Sequence, residues 1–169
     1  LWTYSIEAIW SGLQDCYADL RSNVKNLYGI EIENLAAIGV SAMMHGYMPF
    51  NAKEEILVPF RTWRNTNTGR AAAALSDLFV YNIPLRWSIS HLYQAILDNE
   101  AHVKDIDFLT TLAGYVHWQL TGEKVLGIGD ASGMLPIDPT THNYSAEMVA
   151  KFDKLIAPNP VSYTHLTLP

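Results

Sequence analysis

The feature that most constrains the fold is a short, uninterrupted apolar run at residues 35–41, with polar residues on both sides. Apolar runs of this length without alternation are typical of strands buried on both faces, as in the sheets of α/β proteins. The run leads into the turn Met43-Met44-His45-Gly46, which carries a single histidine. Because open α/β sheets bind their ligands at strand ends, we expect this turn to belong to a ligand site.

Helical periodicity is strongest at residues 5–27, where apolar side chains recur every three or four positions. Ser5 stands where an N-cap is expected and Gly29 where a left-handed C-cap is expected. We expect the apolar stripe of this helix, which includes Cys16, to pack into the core, and Trp2 to serve packing as well. Four more helices are predicted, at residues 68–80, from 88 or 90 to 97, from about 108 to 120, and at 145–156.

Two β-prone segments, residues 47–50 and 55–60, flank the turn Asn51-Ala52-Lys53-Glu54 and predict a hairpin. Pro59 in the second segment favours an edge position for that strand. Residues 125–137 are expected to form short strands or loop around a glycine-rich stretch, Gly127 to Gly133. This stretch lacks the Gly-Lys-Ser/Thr ending of a phosphate-binding loop and opens no βαβ helix, so we expect a turn there.

Composition limits the class of protein. Of the 169 residues, 49% are hydrophobic and 17% are charged, which is typical of one globular domain with a full core. No apolar run approaches the roughly 20 residues that cross a bilayer. A net charge of -6 with scattered Lys and Arg argues against binding to nucleic acid or to a membrane surface. The single cysteine permits no internal disulfide, so a cytoplasmic location is expected.

The residues at both ends of the chain lead us to expect that it is a piece of a longer protein. Leu1 is not a methionine and no signal-peptide pattern follows it, so we expect the chain to begin inside a longer reading frame. Residues 161–169 match neither helical nor strand periodicity and resemble translated adaptor sequence. We therefore expect a globular part at residues 1–160 and a non-native tail at residues 161–169.

The polar residues suggest what the chain binds. No histidine pair has the spacing of a helical zinc site, and with one cysteine there is no thiolate cluster, so no metal site is expected. His45, Trp63 and Asn65 lie in polar segments that follow predicted strands. Imidazole and amide groups both donate and accept hydrogen bonds, as sugar hydroxyls require, and an indole can cover the apolar face of a sugar. These residues predict a polyol pocket, with ordinary turn and packing roles as the alternative.

At these residues the sequence resembles the FGGY family of carbohydrate kinases, most closely its xylulokinase-like and ribulokinase-like members. Ser41-Ala42-Met43-Met44-His45-Gly46 is similar to the family's (S/G)-x-M-H-G motif. Pro59-Phe60-Arg61-Thr62-Trp63-Arg64-Asn65 is similar to its Pro-x-x-x-Trp-x-Asp/Asn motif. Asp130-Ala131-Ser132-Gly133-Met134-Leu135-Pro136-Ile137-Asp138 is similar to its Asp/Asn-Ala-Ser/Ala-Gly-Thr-x-x-x-Asp segment. The likeness runs in order through residues 1–157.

The resemblance implies a ribonuclease H-like, actin-type ATPase fold of the α/β class. Residues 1–160 would form a partial, sugar-binding N-terminal domain without its first strands and its C-terminal part. Met44 and His45 would contact the sugar, Trp63 and Asn65 would line the same pocket, and Trp87 would be a further aromatic contact. Many family members have Asp where Asn65 stands, so the identity of the sugar stays open.

The resemblance also implies a kinase that uses ATP and Mg²⁺ to phosphorylate a hydroxyl of a ketopentose or related sugar. The family's Asp-x-Gly-Thr loop would lie upstream of Leu1 and its general-base aspartate beyond Pro160. We therefore expect no catalytic residue and no bound cofactor in this fragment, and no activity from it alone. A small sugar is the expected partner, and a homodimer stays open. The alternatives are a non-catalytic actin-fold sugar-binding or interaction protein and, more remotely, an unrelated helical binding module.

Overall fold

The computed structural model describes residues 1–161 and 163. The chain divides into two compact units. The main unit comprises Leu1–Thr3 and Ser41–Pro169, and the helical unit comprises Tyr4–Val40. Within the described residues, no helix combines the length and the apolar character needed to cross a bilayer.

The helical unit consists of one long helix and an irregular segment. Helix α1 spans Ile6–Tyr28, and both predicted caps are confirmed: the Ser5 side chain accepts a hydrogen bond from the Ala8 N–H, and Gly29 is left-handed with φ 67°. The prediction that its apolar stripe is buried is wrong, because the helix has no buried residue and Cys16 is exposed. An apolar stripe is buried only against a second layer, and one helix does not supply that layer for itself.

The strand predicted at residues 35–41 is also wrong. These residues have no regular secondary structure, and no other described segment pairs with them. A strand forms only where a neighbouring strand takes up its backbone N–H and C=O groups. The apolar character of residues 35–41 is therefore not enough to predict a strand, because a strand also needs a neighbouring strand, and its own sequence does not show whether one is present.

The main unit pairs its strands across a long sequence separation. Strand β1, Met48–Phe50, is antiparallel to strand β2, Phe108–Thr110, with Pro49 opposite Leu109. The predicted hairpin is confirmed only as two isolated bridges, Tyr47 with Arg61 and Phe50 with Ile56. Residues 108–110 were predicted to begin a helix, which is wrong: they are completely buried, and periodicity does not separate a short buried strand from a buried helix.

The remaining helices lie close to their predicted positions, with two corrections. Thr68 precedes α2, but its hydroxyl donates to the Leu85 carbonyl and does not cap the helix. Residues 125–137 contain a one-turn helix within the predicted loop. Ser145 caps the last helix by accepting a hydrogen bond from the Met148 N–H, as predicted. In chain order the elements are α2 Gly69–Phe79, α3 Ser88–Leu97, a 3₁₀ helix Ala101–Asp105, α4 Leu112–Thr121, α5 Ile128–Ala131, β3 Ile137–Asp138 paired with β4 Asn143–Tyr144, and α6 Ala146–Ile156.

The core of the main unit lies among α2, α3, α6 and the turn before β3. Of the predicted tail, residues 162 and 164–169 lie outside the described residues. Tyr163 is described: its ring is 5.2 Å from that of Phe152, and its hydroxyl donates to Asp153 over 2.7 Å. The assignment of residues 161–169 as a non-native tail stays a prediction. The core includes Tyr47, Leu75, Phe79, Ile83, Ile89, Leu92, Leu109, Leu126, Met134, Leu135 and Phe152.

Candidate functional site

The turn Met44-His45-Gly46 is held tightly by its neighbours in the main unit. The Gly46 N–H donates to the Arg86 carbonyl over 3.1 Å, and the Gly46 carbonyl accepts from the Ser88 hydroxyl over 2.6 Å. Gly46 has φ 117°, and a Cβ there would lie 2.5 Å from the Arg61 carbonyl oxygen. Only glycine fits this position without displacing backbone, so the turn is fixed between two segments far apart in sequence.

His45 contacts the glycine-rich turn that follows α5. Its Nδ1 lies 3.4 Å from the Gly133 carbonyl oxygen. A Cβ on Gly133 would lie 2.5 Å from the Met44 carbonyl oxygen and 2.6 Å from His45 Nδ1, so the two turns are in close contact. A carbonyl only accepts hydrogen bonds, so Nδ1 carries the proton and Nε2 is left as an acceptor.

The surroundings of His45 favour a neutral imidazole. Burial lowers its pKa most, the hydrogen bond to the Gly133 carbonyl opposes that shift, and the positive charge of Arg86 lowers the pKa further. The net shift is downward from the ordinary value of 6.5. At neutral pH His45 therefore offers an uncharged Nε2 that can accept a hydrogen bond from a hydroxyl group.

Asn65 fixes the position of Trp2. Its Oδ1 accepts from the Trp2 N–H over 3.1 Å, while its Nδ2 donates to the Trp2 carbonyl over 2.7 Å and to the Thr62 carbonyl over 3.0 Å. An aspartate could accept from the Trp2 N–H but could not donate to its carbonyl. The amide at this position is therefore matched to both backbone groups of Trp2.

A cavity of about 570 Å³ opens beside these residues, a volume typical of small-molecule pockets. The guanidinium of Arg64 lies over the indole of Trp2 at 5.2 Å and over that of Trp63 at 5.4 Å. Trp63 is 46% exposed and Trp2 is 59% exposed, so neither ring is fully used in packing. The cavity is lined by Trp2, Trp63, Arg64, Thr66, Leu85 and Arg86.

Of the five predicted sugar contacts, Trp63 lines this cavity, and the other four are not among its lining residues. Asn65 holds the Trp2 wall. Met44 and His45 are not among the lining residues, but Arg86 connects them to the cavity. The backbone of Arg86 binds Gly46, and its side chain lines the cavity. The roles of these residues toward a sugar stay predictions.

Trp87 lies apart from the other four. It occupies the N-cap position of α3, is half-buried and packs against the core. Its ring is 6.4 Å from that of Tyr81, and it is not among the residues that line the cavity. Its proposed contact with a sugar also stays a prediction.

Sequence reasoning missed the two arginines of the cavity and assigned Trp2 to packing. Arg64 and Arg86 each stand next to a tryptophan in the sequence, in segments that precede a helix. Such Trp-Arg neighbours were the available signal, because a guanidinium stacks readily on an indole. The sequence does not reveal whether either arginine has a carboxylate partner.

A second polar cluster is buried behind β1 and consists of Tyr47, Arg61, His91, Glu100 and His102. Arg61 binds Glu100 through both guanidinium nitrogens, and the Tyr47 hydroxyl lies 2.8 Å from His102 Nε2. The ring of His91 stacks on that of Tyr47 at 6.1 Å, and neither of its nitrogens has a hydrogen-bond partner in the described part of the chain. None of these five residues lines the cavity beside Trp63.

Burial lowers the pKa of His91 to about 4, and the positive charge of Arg61 acts in the same direction. Burial and the charge of Glu100 raise the pKa of Tyr47, against the effect of Arg61. Both groups are therefore uncharged at neutral pH. Across residues 1–161 and 163, no group of three or more His, Cys, Asp or Glu side chains is placed to hold a metal ion.

A family model described as the FGGY family of carbohydrate kinases, N-terminal domain, matches residues 2–158. No curated protein matches the chain. Among solved structures, the chain is similar to gluconate kinase from Lactobacillus acidophilus, with 16% identity and a TM-score of 0.76 over 99% of this chain and 34% of that one. It is also similar to xylulose kinase from Bifidobacterium adolescentis, with 13% identity and a TM-score of 0.69 over 98% of this chain and 40% of that one.

A ligand-bound xylulose kinase from Lactobacillus acidophilus is similar as well, with 15% identity and a TM-score of 0.65 over 90% of this chain and 32% of that one. At these identities the likeness concerns the fold alone. The chain spans between 32% and 40% of the length of these three structures.

Proposed function

Since the chain belongs to the FGGY family of carbohydrate kinases, we propose that it is the sugar-binding part of an ATP-dependent enzyme that phosphorylates a hydroxyl of a ketopentose or related sugar. The N-terminal domain of this family has the ribonuclease H-like, actin-type ATPase fold, so the predicted fold class is confirmed. We further propose that residues 1–160 form a partial N-terminal domain.

The observation that carries the proposal is the cavity with two indole walls, in which Arg86 binds the backbone of the turn that carries His45. The indoles of Trp2 and Trp63 can cover the apolar C–H faces of a sugar. Nε2 of His45 can accept a hydrogen bond from a sugar hydroxyl, and the Thr66 hydroxyl can donate or accept one. The two walls orient the ring of the sugar, while the polar groups select its hydroxyls.

In this proposal the residues of the chain hold the sugar and do not carry out the transfer. ATP with Mg²⁺ supplies the phosphoryl group and neutralises its charge. His45 keeps a sugar hydroxyl in a fixed orientation, and Trp2 and Trp63 exclude water from one side of the ring. The base that takes the hydroxyl proton would lie beyond residue 160, so residues 1–160 alone would not transfer phosphate.

The complete reading frame tests the proposal. The full-length protein would be purified and assayed for ADP release with ATP, Mg²⁺ and a panel of ketopentoses, other ketoses, polyols and sugar acids. We expect turnover with at least one ketopentose or related sugar. The absence of ADP release with every member of the panel, from a folded enzyme, would contradict the proposal.

In the full-length enzyme, His45→Ala tests the binding role directly. We expect kcat/KM to fall by the equivalent of about 1 to 3 kcal/mol, because a sugar hydroxyl loses its buried partner. His117→Ala is the matched control, since His117 lies on α4 away from the cavity. An unchanged kcat/KM in a stable His45→Ala enzyme would refute the assignment.

A further inference from the structure

We propose that the sugar bound in this cavity carries an anionic oxygen group, in the expected form a carboxylate, which pairs with Arg64 and Arg86. The inference rests on the proposed function and narrows its substrate from a ketopentose or related sugar to one class of related sugar: a sugar acid, as distinct from a neutral ketose or polyol. Four properties of the cavity lead to it.

The first property is that its two arginines have no carboxylate partner among the described residues. Arg21, Arg61 and Arg70 each form an ion pair with a carboxylate. Arg64 and Arg86 form none with any of the described residues, and both line the cavity. Two unpaired guanidinium groups in one cavity are available for a ligand that carries negative charge.

The second property is the absence of acidic side chains among the residues that line the cavity. The lining consists of two tryptophans, two arginines, a threonine and a leucine. The chain as a whole carries a net charge of -6, so this positive cavity stands out against an acidic protein. A cleft lined by one sign of charge concentrates ligands of the opposite sign.

The third property is that Arg64 is held in place before any ligand arrives. Its guanidinium lies over the indoles of Trp2 and Trp63, at 5.2 and 5.4 Å. Stacking uses the faces of the planar group and leaves its N–H donors, which point outward in the plane, for hydrogen bonds. Carboxylates and guanidinium groups match as a pair of parallel hydrogen bonds, and a pre-oriented donor loses less entropy on binding.

The fourth property is the neutral side chain at Asn65. An aspartate there would add a negative charge behind the Trp2 wall and would lose the donor that binds the Trp2 carbonyl over 2.7 Å. The amide keeps Trp2 in position without reducing the positive potential of the cavity. The Arg86 carbonyl in turn accepts a hydrogen bond over 3.1 Å from the N–H of Gly46, the residue after His45, and the charge of Arg86 lowers the pKa of that imidazole. The anion-binding and hydroxyl-binding groups are therefore neighbours.

The experiment uses the ¹⁵N-labelled chain of residues 1–169 and follows the indole N–H signals of Trp2 and Trp63 during titration. D-gluconate and D-glucitol are compared because they share a polyol chain and differ in one carboxylate; glucose 6-phosphate represents the other source of an anionic group. We expect gluconate to shift both indole signals and to bind at least about tenfold more tightly than glucitol, since charge-assisted hydrogen bonds are roughly twice as strong as neutral ones.

Substitutions of Arg86 test whether this residue causes the difference in affinity between gluconate and glucitol. Arg86→Gln should remove most of the preference for gluconate, and Arg86→Lys should retain part of it because the charge is kept. Lys154→Gln is the matched control, because it removes one exposed positive charge from α6, away from the cavity. If Lys154→Gln reduced the preference for gluconate as much as Arg86→Gln does, the inference would be overturned, because the preference would then depend only on the net charge of the protein.

The remaining outcomes distinguish a failure of the sugar-acid inference from a failure of the proposed sugar site. Equal affinity for gluconate and glucitol, with shifts at Trp2 and Trp63, would overturn the sugar-acid inference and leave the proposed sugar site in place. Tighter binding of glucose 6-phosphate than of gluconate would overturn the carboxylate in favour of a phosphate. If no sugar shifts either indole signal, both the inference and the assignment of the cavity as a sugar site are wrong.

Discussion

Arg61 and Arg64 stand in the same segment of the chain but belong to two polar regions of opposite character. The Arg61 side chain is 13% exposed and binds Glu100 through two nitrogens. Arg64 is exposed, lies between two indoles and has no carboxylate partner within the described residues. In the first region the charge of Arg61 is balanced by Glu100. In the cavity the charge of Arg64 is not balanced by any described carboxylate, so it is available to a ligand.

His91 in the region of Arg61 and His45 near the cavity also differ in their burial and in their hydrogen bonds. His91 is completely buried without a hydrogen-bond partner for either nitrogen in the described chain. His45 is half-buried, and one of its nitrogens is held by the Gly133 carbonyl. A buried polar group that nothing binds contributes to packing, while an oriented group at a cavity can contribute to recognition. In this protein, the presence or absence of an internal partner distinguishes the two regions better than residue type does, because each region contains both arginine and histidine.

The most destabilising change removes one side of the partly buried ion pair between Arg61 and Glu100. Arg61→Met leaves Glu100 without its partner, and we expect a loss of about 3 kcal/mol in the free energy of unfolding, the lower end of the range for buried pairs. The lower end applies because the Glu100 side chain is 27% exposed. Urea denaturation of the chain measures the loss.

Two controls sharpen this prediction. Arg61→Met combined with Glu100→Met should cost less than Arg61→Met alone, because no uncompensated charge remains. Arg64→Met, at the exposed and stacked position, should change the free energy of unfolding by less than about 1 kcal/mol. Equal losses for Arg61→Met and Arg64→Met would break the distinction between the two regions.

The second effect concerns pH and His91. In the unfolded chain this imidazole takes up a proton below pH 6.5, while burial holds the pKa of the folded state at about 4, with Arg61 and Glu100 as the facing charges. The unfolded state therefore binds more protons between these values, so stability is complete above pH 6.5 and falls as the pH decreases towards 4. At pH 5 the loss from His91 alone should be about 2 kcal/mol.

His91→Leu isolates that contribution. The variant should be no less stable than the parent chain at pH 7, because both ring nitrogens of His91 lack partners, and it should lose less stability at pH 5. The lowered pKa values of His45 and His102 remain in the variant, so the difference between the two pH profiles belongs to His91. Superimposable profiles would contradict the prediction.

The smallest expected effect on stability is at the contact between the two turns of the candidate site. Gly133→Ala places a Cβ within 2.6 Å of His45 Nδ1, so we expect a loss of about 1 to 2 kcal/mol and a displaced imidazole. Gly129→Ala is the matched control, because no atom lies within 4 Å of a Cβ there. Ring-proton shifts of His45, measured by NMR, should change in the first variant and stay unchanged in the second.

Part of the candidate site could be predicted because its residues lie in short segments with recognisable chemistry. His45, Trp63 and Asn65 come from such segments, and Met44 comes from the resemblance to the family motif. Of these four, Trp63 lines the cavity and Asn65 binds Trp2 in its wall, and the roles of all four toward a sugar stay predictions. Arg86 was missed because it connects the segments only in three dimensions. Its carbonyl binds Gly46, forty residues earlier in the chain.

Features that act over a few residues follow from the sequence alone: the caps Ser5, Gly29 and Ser145, the helices that follow from periodicity, and the family to which the motifs belong. Three other features depend on the folded structure: the pairing of β1 with β2, the absence of a buried residue in α1, and the carboxylate partner that Arg61 has and Arg64 lacks among the described residues. The two groups differ in the sequence range of the interactions involved. A cap or an apolar period is satisfied by neighbours in the chain, whereas strand pairing, burial and charge compensation depend on partners that folding brings together from distant positions.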